Sequence, residues 1–125
     1  MGEIRSFEDL IVWQKGYGFF LDVVRDVERF TNGLPARVIA NQVLRSAGSI
    51  SANIAEGFGR RTGKEYTHYL IVARGSTTET LDWYLKCKGL RLIDSDVFAL
   101  RRAILEEILK MLNRMISQQL IKRGK

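Results

Sequence analysis

The chain has 125 residues, 46% of them hydrophobic, one cysteine and a net charge of +6. That length suffices for a single domain with its own core, and the lone Cys87 excludes an internal disulfide and fits a reducing, cytoplasmic setting. No apolar run approaches the roughly 20 residues a bilayer span requires, and the start MGEIRSFEDL lacks a signal-peptide pattern, so a soluble protein is expected.

Strand-like alternation is nearly absent, and helical periodicity dominates. Ser6 and Asp9 form a Ser-x-x-Asp start, with Glu8 in the same turn, which suits a helix N-terminus. Leu10, Trp13, Tyr17, Phe20, Val24 and Val27 then recur at spacings of three and four and predict a helix over about 7–30. Asn32-Gly33 ends it, and Pro35 suits the first turn of a second helix over about 35–56. Ile39, Val43, Ala47, Ile50, Ile54 and Phe58 form the apolar stripe there, and Gly57, Gly59 and Gly63 close it. A third helix over about 64–91 carries Leu70, Ala73, Thr77, Leu81 and Tyr84 on one face. Asp94-Ser95-Asp96 caps a fourth over about 95–119, striped by Ile104, Ile108, Met111 and Met115, with a basic tail over 120–125 that is expected to fray. Four long helices joined by short loops predict an all-α, antiparallel up-and-down four-helix bundle.

The stretch RSAGSISANIAEGFGR, residues 45–60, is poor in bulky residues. On a helix, Ser46, Ser49, Asn53 and Glu56 form a polar stripe beside the apolar one. ARGSTTE in the third helix offers Gly75, Ser76 and Glu79 as a matching patch. The two patches are expected to face each other or a neighbouring subunit, because a buried polar group left unpaired costs about 1–3 kcal/mol. The plainer alternative is a solvated helix face.

FEDLIVWQK, LRSAGSISANIAEGFGR and ARGSTTE, in this order, resemble the 23S rRNA intervening-sequence proteins, a family of four-helix bundles, over about residues 6–118. The resemblance implies a small helical subunit that assembles into a homo-oligomeric ring, a pentamer. It also implies genes that often lie within insertions in bacterial large-subunit ribosomal RNA genes. The related accessory protein of diversity-generating retroelements is a basic pentamer that binds nucleic acid. The family pattern falls on Trp13, Arg45, Ser49, Asn53, Glu56, Gly57, Arg60, Gly75, Ser76 and Glu79, with departures at Ser51 and Arg74. It supplies no catalytic residue, so Arg45, Ser49, Asn53, Glu56, Ser76 and Glu79 are expected as interface or buried polar groups.

Sharper chemistry finds little support. GFGRRTGKE has five residues between Gly57 and Gly63, Glu65 where a phosphate loop needs Ser or Thr, and a helix rather than a strand before it. Glu65-Tyr66-Thr67-His68 has the Glu-x-x-His form of di-iron bundles, but His68 is the only histidine and such a site needs two of these motifs. Cys87 has no nearby histidine or second cysteine to make it a nucleophile. The sequence therefore implies neither an enzyme nor a metal, cofactor or small-molecule substrate.

Positive charge concentrates late: residues 1–62 carry 8 Lys/Arg against 7 Asp/Glu, and residues 63–125 carry 12 against 7. Arg60, Arg61 and Lys64 surround the glycine-rich turn, Lys86, Lys88 and Arg91 end the third helix, and Lys122, Arg123 and Lys125 lie in the tail. Such cations suit phosphate contacts that position RNA or DNA without reading its sequence; alternatively they only solubilise the bundle ends. The expected function is a non-enzymatic homo-oligomer that binds RNA or DNA through basic loops. The alternative is a structural or protein-interaction oligomer with no nucleic-acid role. A membrane-surface role ranks below both, because the cations are not confined to one face of a strongly amphipathic helix.

Overall fold

The computed structural model describes residues 2–124. Among these it shows no strand and four α-helices: α1 (Ile11–Glu28), α2 (Leu34–Phe58), α3 (Gly63–Gly89) and α4 (Ser95–Arg123). The turns at 29–33, 59–62 and 90–94 are too short for crossovers, so successive helices run antiparallel. α2 packs on α1 and α3, α3 on α4, and α1 meets α4 more sparsely. The result is the up-and-down four-helix bundle that the sequence implies. Among the described residues no helix is long and apolar enough to cross a membrane.

The start of the chain departs from the expected single helix. Asp9 accepts backbone hydrogen bonds from Arg5 (2.8 Å) and Ser6 (3.1 Å), but the turn it caps is a short 3-10 segment over Phe7–Asp9. Leu10 is extended, and α1 begins only after it. The 3-10 turn folds back so that Phe7 packs edge-on against Trp13, with ring centroids 5.1 Å apart.

Two helices are also rotated from the expected phase. In α1 the buried positions are Val12, Gly16, Phe19, Val23 and Asp26. The anticipated seam of Leu10, Trp13, Phe20 and Val27 instead packs along the core's margin, and Tyr17 is 48% exposed, stacked on Trp13. The physical reason is Gly16, whose missing side chain lets α1 press on α2: a β-carbon there would lie 3.3 Å from Ile50 Cγ2 and 3.5 Å from the Ser51 backbone. In α4 the buried positions are Phe98, Leu105, Ile108, Leu112 and Ile116, while Ile104, Met111 and Met115 flank them. α2 keeps the expected stripe from Ile39 to Ile54, and α3 keeps its own except that Thr80, not Leu81, is fully buried. The buried threonines satisfy themselves locally: Thr67, Thr77 and Thr80 each donate to the carbonyl four residues back, at 2.6–2.8 Å.

α3 ends in a Schellman motif. Leu92 N–H donates to the Cys87 carbonyl (2.9 Å) and Arg91 N–H to that of Lys88 (3.0 Å), with Arg91 in the left-handed region at φ 59°. That conformation disfavours a β-carbon, and glycine is the usual occupant. Arg91→Gly is therefore expected to raise unfolding stability by about 1 kcal/mol, read from a denaturant midpoint shift. An unchanged or lower midpoint would mean that the arginine side chain contributes more than the strain it carries. α4 begins on Asp94, whose carboxylate accepts from Val97 N–H at 2.8 Å, and its helix runs on to Arg123, past the expected end at 119. Lys125 lies outside the described residues.

Candidate nucleic-acid interface

The small-residue stretch is where α2 and α3 come together. Ser49 Oγ and Ser76 Oγ lie 2.8 Å apart, as do Ser46 Oγ and Thr80 Oγ1. Further out, the Arg45 guanidinium pairs with the Glu79 carboxylate and also donates to Gln42 Oε1. Trp83 Nε1 donates to Glu79 at 2.9 Å; that bond and Arg45 hold the Glu79 carboxyl below the usual glutamate range. Asn53 donates within its own helix, to the Ser49 carbonyl (2.7 Å) and Oγ (2.9 Å), and does not cross to α3. At the end of the seam Gly57 lies against Tyr69. Ser46, Ser49, Ser76 and Glu79 thus take part in contacts between α2 and α3 inside one chain. Glu56, by contrast, is exposed and pairs with Arg60, and Gly75 lies on the outer side of α3, where a β-carbon would meet nothing within 4 Å.

Antiparallel order sorts the cations by end. The α2–α3 turn and the C-terminus of α4 share one end, where a β-carbon on Gly63 would come within 3.3 Å of Gln119 Oε1. Arg60, Arg61, Lys64, Lys122 and Arg123 gather there. Lys86, Lys88 and Arg91 sit at the other end, about 40 Å away along the length of α3. One protomer therefore does not bring all eight expected contact residues into one footprint.

Their engagement differs as well. Lys86 pairs with Asp82 and lies 4.4 Å from the centroid of the Trp83 ring, while Lys88 lies 4.8 Å from that of Phe98. Both charges already have partners. Arg60, at the basic end, is occupied too: it donates to Tyr69 OH (2.8 Å), pairs with Glu56 (3.0 Å) and covers the Tyr69 ring (4.8 Å). Arg60 and Glu56 pin the α2–α3 corner together. Arg61, Lys64, Lys122 and Arg123 are exposed, and no ion pair or side-chain hydrogen bond engages them among the described residues. Thr62 caps α3 beside them, its hydroxyl accepting from Glu65 N–H at 3.1 Å.

One cluster escaped the sequence reading. Asp26, 7% exposed, accepts from Tyr84 OH (2.6 Å), Arg101 Nε (2.7 Å) and Arg101 Nη2 (3.0 Å), which ties α1, α3 and α4 together. Asp22 lies 3.7 Å from the same guanidinium. Burial, then the bond to Asp26, pushes the Tyr84 phenol far above its ordinary value, so it remains a neutral donor. Burial likewise pushes the Cys87 thiol up to about 12, which leaves it without thiolate character. The signal available in sequence was weak: Asp26 falls on the buried phase of α1 only once Gly16 is counted as a core position. Among the described residues no buried side-chain nitrogen or oxygen lacks a hydrogen-bond partner, and no group of three or more His, Cys, Asp or Glu is placed to share a metal ion.

Comparison with known proteins agrees with this architecture. A crystallised protein of unknown function from the S23 ribosomal protein family of Bacteroides thetaiotaomicron VPI-5482 superposes with a TM-score of 0.79. It shares 25% sequence identity, and the match covers 85% of this chain and 98% of that one. No curated protein matches the sequence. The profile of the 23S rRNA-intervening sequence proteins matches residues 8–114, which span the bundle from the first turn to the last third of α4, and the chain belongs to that family.

Proposed function

We propose that this protein is a non-enzymatic, homo-oligomeric bundle that binds RNA or DNA by its phosphate backbone at the α2–α3 end. The observation that carries this reading is the gathering of Arg61, Lys64, Lys122 and Arg123, exposed and without acidic partners among the described residues, at one end of the bundle. Flexible cations of this kind neutralise phosphates and release condensed counterions, which gives affinity without sequence preference. A ring, of five copies by family resemblance, would repeat the cluster and turn weak contacts into avidity along one polymer.

A second reading has its own support. Leu34, Val38 and Leu90 are exposed around a groove floored by Trp83 at the opposite end, an apolar surface that suits protein contact. In that case the oligomer acts as a scaffold for another protein and has no nucleic-acid role.

Arg61→Glu combined with Lys64→Glu separates the two. Arg60 is left in place because it holds Tyr69 and Glu56, and an acid at position 64 suits the N-terminus of α3. The double variant is expected to retain helicity and solution mass while losing most RNA and DNA binding. Parent affinity should fall steeply with salt. A parent that binds neither polymer at low salt would sink the nucleic-acid reading in favour of the scaffold, and a light-scattering mass of 14.3 kDa would sink the oligomer.

A further inference from the structure

Beyond the turn, one whole stretch of surface carries positive charge with no compensation. From Ile108 to Lys125 the sequence contains no Asp or Glu, yet it includes Lys110, Arg114, Lys122, Arg123 and Lys125. The structure winds nearly all of this run into the second half of α4. The buried face is taken by Ile108, Leu112 and Ile116. Lys110, Arg114, Gln118 and Lys122 recur every fourth residue and are all exposed, so they form one gently winding row on the outside of the helix. No ion pair or side-chain hydrogen bond holds Lys110 or Arg114 among the described residues. The two acids one turn earlier are engaged elsewhere, Glu106 with Arg102 (3.4 Å) and Glu107 with Lys15. The last turn, with exposed Leu120 and Ile121, lies beyond Gln119, which borders the start of α3, so the row continues past the edge of α3.

We infer that the outer face of α4, through Lys110, Arg114 and Lys122, is a nucleic-acid docking rail that extends the basic end into one strip; this rests on the nucleic-acid reading above. The geometry fits a phosphodiester backbone. Lys110 and Arg114 are about 6 Å apart along the axis, and the row to Lys122 runs about 18 Å. Duplex DNA presents a phosphate about every 3.4 Å along each strand, so several fall within that reach. A helix repeats its side chains at a fixed spacing, which suits a regular backbone better than an irregular loop does. It also places the contacts on side chains that need not abandon an existing partner. The opposite end lacks that property, because Lys86 and Lys88 are held over Trp83 and Phe98. The exposed large apolar side chains in this half of α4, Leu120 and Ile121, are confined to its last turn, and the stretch from Lys110 to Gln118 has none. An anionic membrane, which takes an apolar stripe along the helix, is therefore the poorer fit.

Lys110→Gln combined with Arg114→Gln removes two charges from a solvent face of α4 with side chains that favour helix, so the fold is expected to stand. The full-length parent and this variant are titrated with unrelated RNA and DNA duplexes over a series of salt concentrations, with circular dichroism and solution mass as checks. The slope of log affinity against log salt on the DNA duplex is expected to flatten by about 1.8, the loss of two phosphate contacts. Lys86→Gln with Lys88→Gln should leave the slope unchanged. If the parent binds and the α4 variant keeps the parent's slope, the rail is refuted while the basic turn still stands. If the parent binds neither duplex, the underlying nucleic-acid reading falls. Stronger binding of the parent to vesicles of anionic phospholipid than to either duplex would overturn the choice of partner.

Discussion

Asp26→Ala is expected to cost about 3–5 kcal/mol of unfolding free energy, the effect of leaving a partner charge uncompensated in a desolvated site. The carboxylate is the shared acceptor for Tyr84 and for two arms of the Arg101 guanidinium. Its removal strands a phenolic hydroxyl and a cation whose side chain is 15% exposed. Asp22, 3.7 Å away, still faces the guanidinium and should hold the loss to the lower part of that range. For a domain whose total stability is on the order of 5–15 kcal/mol, such a loss would populate the unfolded state measurably. Replacing the whole cluster tests the mechanism: Asp26→Leu, Arg101→Met and Tyr84→Phe together leave no stranded polar group and should cost much less than Asp26→Ala alone. Urea denaturation of the three proteins decides it. If the single variant loses under about 1 kcal/mol, the cluster is solvated in practice and does not hold the three helices.

That cluster also marks the limit of what the chain reveals as a string. The partners Asp26 and Arg101 are 75 residues apart, and nothing local pairs them. α2 was legible because its buried positions, Ile39, Val43, Ala47, Ile50 and Ile54, are apolar and regularly spaced. α1 was legible as a helix but not in phase. Its buried face includes Gly16 and Asp26, which a count of apolar residues passes over, while its aromatic seam is broad enough to look like the core. α4 slipped similarly, because Met111 and Met115 border the core instead of occupying it. In the small-residue stretch the residue types announced a close approach, and the backbone geometry shows which helix approaches.

Charge behaved differently from packing. The positions of the basic groups could be read directly, but their availability could not. Arg60 looks like its neighbour Arg61 in sequence, yet one is bonded to Tyr69 and Glu56 and the other extends into solvent. Availability depends on what lies across the turn or on the next helix. The acid-free run after Ile108 was the stronger sequence signal, because a segment without acids cannot neutralise its own cations whatever it folds into.

The close approach of α2 and α3 leads to the other large expected effect. A β-carbon on Gly57 would sit 2.7 Å from Tyr69 Cβ and 3.1 Å from Tyr66 Cδ1. The nearer atom is fixed to the α3 backbone and cannot rotate away, so a single methyl group must push the two helices apart. Overpacking of this kind costs about 1–3 kcal/mol, and the upper end is expected here because the Ser49–Ser76 contact at 2.8 Å belongs to the same seam. Gly75→Ala provides the contrast. It lies on an exposed position of α3 where a β-carbon meets nothing within 4 Å, so the change should add about 0.5–1 kcal/mol by relieving the entropic penalty of a mid-helix glycine. Denaturant unfolding at equal protein concentration reads both. A Gly57→Ala protein as stable as the parent would mean that the α2–α3 seam can widen freely and that close approach is not what the small residues provide. A Gly75→Ala protein that unfolds normally but has a reduced solution mass would place a neighbouring copy against that outer face of α3.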